Sequence, residues 1–302
     1  MAARCYGSGW PSPVTPVTAS CRAKILGCLY LQEYAMAYTT IIDAFFCIPK
    51  KGGVAQISDC VPFTEDISPR MHASGIAGAV LAHGCCAECQ HQWNCADRRT
   101  YEIVNAVAHN PKQLRGLAAY DPLRIGESLR WIDEAVSERG LAGAYAQAEC
   151  CASGLDAARM YPLYGLCAKL QSPMVLDFAN RQRWSHHRPQ VEVVAADFPE
   201  LDILLALPPR TDTASILRLM QRFPRVSFLL TPEELQADEV LCAYVELQGR
   251  ERALFRSSPN GWPSSVEVAQ GLALSPAARR AYLSENATRL FSFPVPAQSL
   301  SA

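Results

Sequence analysis

Eight short runs rich in β-branched and apolar residues, separated by longer stretches of helical period, limit the fold of this chain more than any other feature. The runs are Thr40 to Ile48, Gly75 to His83, Leu114 to Tyr120, Leu141 to Gln147, Pro173 to Phe178, Leu201 to Leu207, Val226 to Leu230 and Ala253 to Ser257. Several lack polar alternation, the pattern of strands covered on both faces, and such parallel strands need helical crossovers between them. Helical stretches supply these at Arg98 to Asn110, Ser128 to Arg139, Asp156 to Leu170, Gln190 to Asp197, Ala214 to Arg222 and Pro232 to Leu247. Ser275 followed by Pro276 opens a last helix, as an N-cap with proline in the first turn does. No Gly-rich phosphate turn follows the first run, which disfavours a doubly wound open sheet. Eight βα units in 302 residues predict an α/β chain folded as a single-domain (β/α)8 TIM-type barrel. In such barrels the site lies on the loops after the strand C-termini.

The barrel is expected over residues 36–302. Residues 1–35 are rich in Pro, Ser, Thr and Gly without apolar periodicity and read as a loosely structured extension, with Met36 as the expected start. A formal charge of −1 gives no net basic field to draw nucleic acid or an anionic membrane. No run approaches the ~20 apolar residues a membrane span needs. Arg22 and Lys24 precede a partly apolar run, but Gln32 and Glu33 interrupt it and prolines stand before it, so the segment order is wrong for a secretory signal. Thirteen cysteines, an odd number, read as mostly free thiols in a reducing, cytoplasmic setting.

Two groups of residues after the strand ends carry candidate chemistry. The first is the stretch from His83 to Cys95, where Cys85, Cys86, Cys89, His91 and Cys95 give a Cys-x-x-Cys pair with a further imidazole and thiol at reachable spacing for zinc or another soft metal. Packed small hydrophobes and a redox pair are the alternatives for the same residues. The second is cationic: Arg181, Arg183, His186 and His187 after strand five, Arg210 after strand six and Arg256 at strand eight. Guanidinium forks suit a carboxylate or phosphate, so a small anionic ligand is expected, against the plainer reading of solvated loop charge.

The order of several segments resembles the amidohydrolase superfamily, in its branch related to aminocarboxymuconate semialdehyde decarboxylase. The carriers are Ile41-Ile42-Asp43-Ala44, Met160-Tyr161-Pro162-Leu163-Tyr164 with Cys167-Ala168, and Val194-Ala195-Ala196-Asp197-Phe198-Pro199. Arg222-Phe223-Pro224-Arg225-Val226, Arg252-Ala253-Leu254-Phe255 and the closing stretch from Leu274-Ser275 to Leu290-Phe291 complete the match. The resemblance implies a metal centre built from two histidines on strand one, histidines on strands five and six and an aspartate on strand eight. Those places hold Phe45, Cys47, Asp177, Leu207 and Ser258. A benzyl or isobutyl group cannot coordinate, and a neutral hydroxyl is a poor water activator. The expectation is therefore a pseudoenzyme without a cofactor at that centre, binding a protein partner, a ligand or a metal, with homodimerisation as in relatives. Two alternatives stand beside it. One is a metal-independent hydrolase or decarboxylase of a small carboxylated substrate, with Arg256 or Arg210 as anchor and Asp177 as base. The other is metal handling by the Cys-rich loop.

Overall fold

Each of the eight apolar runs forms a strand, and the strands pair in chain order into one parallel sheet. The computed structural model describes residues 40–47, 67–83, 95–148, 151, 154–178, 181–258 and 261–294. The strands are β1 (Ile42–Cys47), β2 (Gly78–Ala82), β3 (Leu114–Ala119), β4 (Gly143–Gln147), β5 (Met174–Asp177), β6 (Ile203–Ala206), β7 (Val226–Leu230) and β8 (Ala253–Phe255). Between them run α1 (Ile67–Ala73), α2 (Cys95–His109), α3 (Ile125–Ser137), α4 (Tyr161–Lys169), α5 (Arg181–Asp197), α6 (Thr213–Arg222), α7 (Pro232–Ala237) and α8 (Glu239–Leu247). After β8 come α9 (Trp262–Gly271), α10 (Pro276–Arg280), a one-turn π-helix (Ala281–Glu285) and α11 (Asn286–Phe291). This is the expected (β/α)8 barrel. Among the described residues no helix is long and apolar enough to cross a membrane.

The helices depart from expectation where polar chemistry outweighs periodicity. The predicted helix from Pro232 to Leu247 breaks at Asp238, whose backbone is extended and whose Oδ1 accepts the Leu241 N–H at 2.9 Å, capping a second helix. The helix expected from Gln190 starts at Arg181 and carries Pro189 inside it. Neither α1 nor α9 was expected, because both are short and lack a clean apolar stripe.

Alternation along the strands divides the core into two layers. Ile42, Val80, Leu117, Val175, Leu204 and Leu254 belong to the inner layer that fills the barrel. Their neighbours, such as Leu81, Leu176, Leu205 and Phe255, belong to the outer layer that packs against the helices. The N-terminal end is plugged by Phe291 and Phe293. Arg115 holds this plug, donating to the Phe291 carbonyl at 3.1 Å and the Ser292 carbonyl at 2.8 Å, with its guanidinium 4.9 Å from the Phe293 ring centre.

Close backbone approach fixes one inner residue as glycine. A Cβ on Gly143 would sit 2.3 Å from the Pro173 carbonyl oxygen, where β4 meets β5. A backbone carbonyl in a paired sheet cannot retreat, so Gly143→Ala is expected to cost about 3 kcal/mol, in the upper range for overpacking. Urea unfolding measures this as a lower midpoint at constant slope.

Among the described residues no backbone ladder joins β8 to β1, although the two strands lie side by side. Side chains close that seam, and they do so at the end of the barrel where the candidate site lies.

Candidate active site at the barrel mouth

The seam is built around Asp43, which has no exposed surface. Its Oδ1 accepts the Phe45 N–H at 3.2 Å and the Ser257 N–H at 3.3 Å. Its Oδ2 accepts the Ser257 hydroxyl at 2.6 Å and the Trp262 indole N–H at 2.7 Å. Burial pushes the carboxyl above its ordinary value, outweighing these donors, which pull it down. Asp43 therefore ties β1 to the loop after β8 and to α9, and it is sealed from any ligand.

The register of β1 shifts between Asp43 and Phe46, and this irregularity re-aims the side chains that follow. Phe45 joins the inner layer, its ring centre 5.7 Å from that of Tyr145 on β4. Phe46 turns to the outer layer and packs 4.3 Å from the Trp262 ring. Beside the Phe45–Tyr145 pair, the Tyr145 hydroxyl donates to Asp177 Oδ2 at 3.2 Å. Asp177 closes β5 and pairs in register with Gln147 of β4 and Ala206 of β6. An aromatic wall and a carboxylate thus share one side of the mouth.

The cation stands on the other side. Arg256 follows β8, and its Nη2 donates to the carbonyl of Leu207, which follows β6, at 2.5 Å, so the side chain reaches past the end of β7. The same nitrogen lies 3.7 Å from Glu234 Oε1. Glu234 is fixed by a capping box in which its Oε2 accepts from the Thr231 N–H at 2.7 Å while Thr231 Oγ1 accepts the Glu234 N–H at 3.2 Å. Glu233, one residue earlier, has its Oε1 held by the Ser258 hydroxyl at 2.8 Å and the Ser265 hydroxyl at 3.4 Å. Arg256 Nε, Glu233 Oε2 and Gln147 Oε1 are buried without a hydrogen-bond partner among the described residues. Buried polar atoms are nearly always satisfied, so each of these atoms near a strand end is one whose bonding a ligand can complete.

The residues singled out from sequence fall differently. Asp177 and Phe45 meet at the mouth, and Ser258 stands beside it, bonded to Glu233. Cys47 is exposed at the end of β1, and Leu207 is buried in the outer layer. Of the predicted cationic ring, α5 begins at Arg181 and so carries Arg181, Arg183, His186 and His187 on a helix, which turns successive side chains by about 100°. His186 is exposed, whereas His187 is buried against Phe178 with its Nδ1 2.7 Å from Gln190 Oε1. Arg210 is exposed, with a left-handed backbone at φ 60°. Arg181, Arg183 and Cys95 lie on helices, but their side chains fall outside the described residues, as do Cys85, Cys86, Cys89 and His91 entirely. Sequence reasoning missed Tyr145, Gln147, Glu233 and Ser265. The Thr231-x-x-Glu234 capping signature was readable and marks the helix start that carries Glu233.

A separate cavity of about 470 Å³ opens at the opposite end of the barrel, lined by Arg115, Leu141, Ser172 and Phe291 among others. Conserved-site chemistry in this architecture belongs to the other face, and Arg115 already spends its donors on carbonyls.

Residues 59–293 match the amidohydrolase family model. No curated protein matches the sequence. Among solved structures, a 5-carboxyvanillate decarboxylase from Novosphingobium aromaticivorans, complexed with manganese and 4-hydroxy-3-methoxy-5-nitrobenzoic acid, is similar with a TM-score of 0.66 and 14% identity over 84% of this chain and 96% of that one. A 2,6-dihydroxybenzoate decarboxylase from Rhizobium has a TM-score of 0.64 and 16% identity, covering 84% and 99%. A dihydroxybenzoic acid decarboxylase from Polaromonas sp. JS666, with manganese and 2-nitroresorcinol bound, has a TM-score of 0.59 and 16% identity, covering 84% and 97%. At such identities the likeness is one of fold.

These neighbours correct two expectations. The reading as a pseudoenzyme is overturned, because solved structures of this fold include decarboxylases, and despite the changed positions Asp177, Glu233 and Arg256 stand near the strand C-termini. The reading of a cofactor-free centre is overturned by the manganese bound in two of them. The described residues do not by themselves fit such an ion. Among them no three His, Cys, Asp or Glu side chains converge, and both Asp43 oxygens are already engaged by four donors. The roles assigned below are carried by this chain's own side chains.

Proposed function

The chain belongs to the amidohydrolase family, and from that premise we propose that it is a decarboxylase of a small carboxylated compound, most simply a hydroxylated aromatic acid. The observation that carries this reading is Arg256, half of whose fork is engaged by the Leu207 carbonyl and Glu234 while Nε has no partner among the described residues, on the same mouth as the Phe45–Tyr145 ring pair. An arginine with an unspent N–H binds a carboxylate, and two inward rings offer an apolar wall to a flat ring. Asp177, held by Tyr145, is placed to accept a bond from a phenolic hydroxyl. The apolar wall also favours the step itself, since a charged carboxylate leaves as neutral carbon dioxide. The decarboxylase neighbours, two of them with bound aromatic acids or a nitroresorcinol, support the choice. The partner in this reading is a small anion, and the cysteine content supports a cytoplasmic setting.

The test is direct. Purified full-length protein, with and without added manganese, is incubated with 2,6-dihydroxybenzoate, 5-carboxyvanillate and unsubstituted benzoate, and carbon dioxide and the decarboxylated arene are quantified. Turnover of a hydroxylated acid over benzoate is expected. No product from any of them, in protein shown to be folded, sinks the proposal.

A further inference from the structure

Loss of carbon dioxide from an aromatic acid requires that the carbon left behind receive a proton, so a decarboxylase needs a proton donor within reach of that carbon. We propose that Glu233 is this catalytic residue, with Ser258 and Ser265 as the positioning residues that hold it. The inference rests on the decarboxylase reading and names the residue that performs its central step.

The other carboxylates near the mouth are engaged differently. Asp43 has no exposed surface and all its donors lie within the protein. Glu234 is held at both ends, by the capping box through Oε2 and by Arg256 across from Oε1. Asp177 is bonded to Tyr145 on the far side of the barrel from β7 and β8. Glu233 alone of these divides its oxygens. Oε1 is gripped by two hydroxyls that also bond each other, Ser265 Oγ to Ser258 Oγ at 3.1 Å, and Ser265 Oγ accepts the Ser258 N–H at 2.9 Å. Oε2 is buried and has no hydrogen-bond partner among the described residues.

Arg256 completes the arrangement. It follows β8, the strand beside β7, whose following helix α7 bears Glu233, and its Nε is an unpartnered donor among the described residues as Glu233 Oε2 is an unpartnered oxygen. The two groups do not bond each other, since Arg256 Nη2 turns to Leu207 and Glu234. In the proposed pose the acid's carboxylate accepts from Arg256 Nε and the carbon bearing it faces Glu233 at the start of α7. In the step, the protonated Glu233 carboxyl transfers its proton to that carbon and a C–H bond forms. The bond to the carboxylate then breaks, its electron pair returns to the ring and carbon dioxide departs. Glu233, left as carboxylate, takes a proton from water, so the sum is aromatic carboxylate plus one proton giving arene plus carbon dioxide. The start of α7 thereby brings a carboxyl, through Ser258, beside the position where the family resemblance expects an aspartate.

Steady-state kinetics on 2,6-dihydroxybenzoate and 5-carboxyvanillate, in water and in deuterium oxide, test the assignment with Glu233→Gln, Glu233→Asp and Ser258→Ala. Glutamine keeps the size and an acceptor for the two serines but holds no transferable proton. Glu233→Gln is expected to lower kcat about 100- to 1,000-fold, with KM within about threefold and an unchanged thermal midpoint, because an acid–base residue acts on the transition state. Glu233→Asp is expected to recover part of that loss, and Ser258→Ala to retain the wild-type solvent isotope effect at lower kcat. If the wild type turns over and Glu233→Gln keeps its kcat, or loses it only in step with thermal stability while Glu233→Asp is no better, the assignment falls and the decarboxylase reading stands. If the folded wild type releases carbon dioxide from neither acid, both fall together.

Discussion

Replacing Asp43 by alanine is expected to remove about 3–5 kcal/mol of stability, a loss in the class reserved for broken buried networks. Four donors converge on this carboxyl from β1, the loop after β8 and α9, and alanine leaves all of them in a dry seam with nothing to accept them. Each unsatisfied buried donor costs roughly 1–3 kcal/mol, partly offset by no longer burying a carboxyl. The seam has no backbone ladder among the described residues to fall back on, so local loosening spreads to the barrel's closure. Asp43→Asn separates hydrogen bonding from charge. Its carbonyl keeps the two backbone donors and the Ser257 hydroxyl can rotate to accept, but the amide N–H₂ faces the Trp262 indole N–H, which cannot. Asparagine is therefore expected to cost less than alanine and more than a surface change, with urea midpoints in the order wild type, asparagine, alanine.

The same residue gives the stability of the protein a pH dependence of defined sign. Because burial raises the folded Asp43 above its unfolded value of 3.8, the folded state binds a proton that the unfolded chain has lost. Its stabilising contribution is complete below that value and disappears as pH rises through the raised folded value. Asp212 and Glu246 act in the opposite sense, since hydrogen bonds from Ser215 and Ser275 lower them, but Asp212 is exposed and Glu246 only partly buried, so solvent screens their effects. The difference in unfolding free energy between wild type and Asp43→Asn, followed upward from about pH 4, isolates the Asp43 contribution. That difference is expected to shrink with rising pH, and a flat difference contradicts the assignment.

Both the barrel and the carboxyl that closes it were within reach of the sequence to different degrees. Periodicity located all eight strands because buried parallel strands are short, uniformly apolar and separated by helices, a pattern few other folds share. The site was harder, since its residues are assembled by register and by departures from regularity. Nothing in Asp43-Ala44-Phe45-Phe46 announces the shift that sends one phenylalanine inward to Tyr145 and the next outward to Trp262. The histidines at 186 and 187 read as following strand five, ahead of a helix from Gln190, whereas α5 starts at Arg181 and runs through Pro189. Glu233 escaped notice for a chemical reason. Matching one position at a time shows Ser258 where an aspartate was expected, and only three dimensions show a carboxylate 2.8 Å from that hydroxyl, brought by the first turn of α7. A changed residue is not a vacant function when a neighbouring strand end can supply the group.

Arg256 gives the largest expected effect on substrate binding. Arg256→Met keeps the length and apolar stem but removes the fork, and kcat/KM for a carboxylated substrate is expected to fall about 30- to 1,000-fold, the range for removing one partner of a desolvated charged hydrogen bond. The loss belongs mainly in KM. An arginine bound to the carboxylate that is about to leave stabilises the ground state at least as much as the transition state, since the charge it holds disappears as carbon dioxide forms. The opposite partition, kcat lost with KM intact, is expected of Glu233→Gln, so the two substitutions separate binding from proton delivery on neighbouring strand ends. Arg256→Lys tests the geometry. A lysine ammonium carries the charge but cannot reach the Leu207 carbonyl and a substrate oxygen with one rigid plane, so it is expected to recover only part of the affinity. Thermal unfolding of each variant accounts for the bonds to Leu207 and Glu234, and a KM that stays at the wild-type value in a folded Arg256→Met protein removes this arginine from the substrate site.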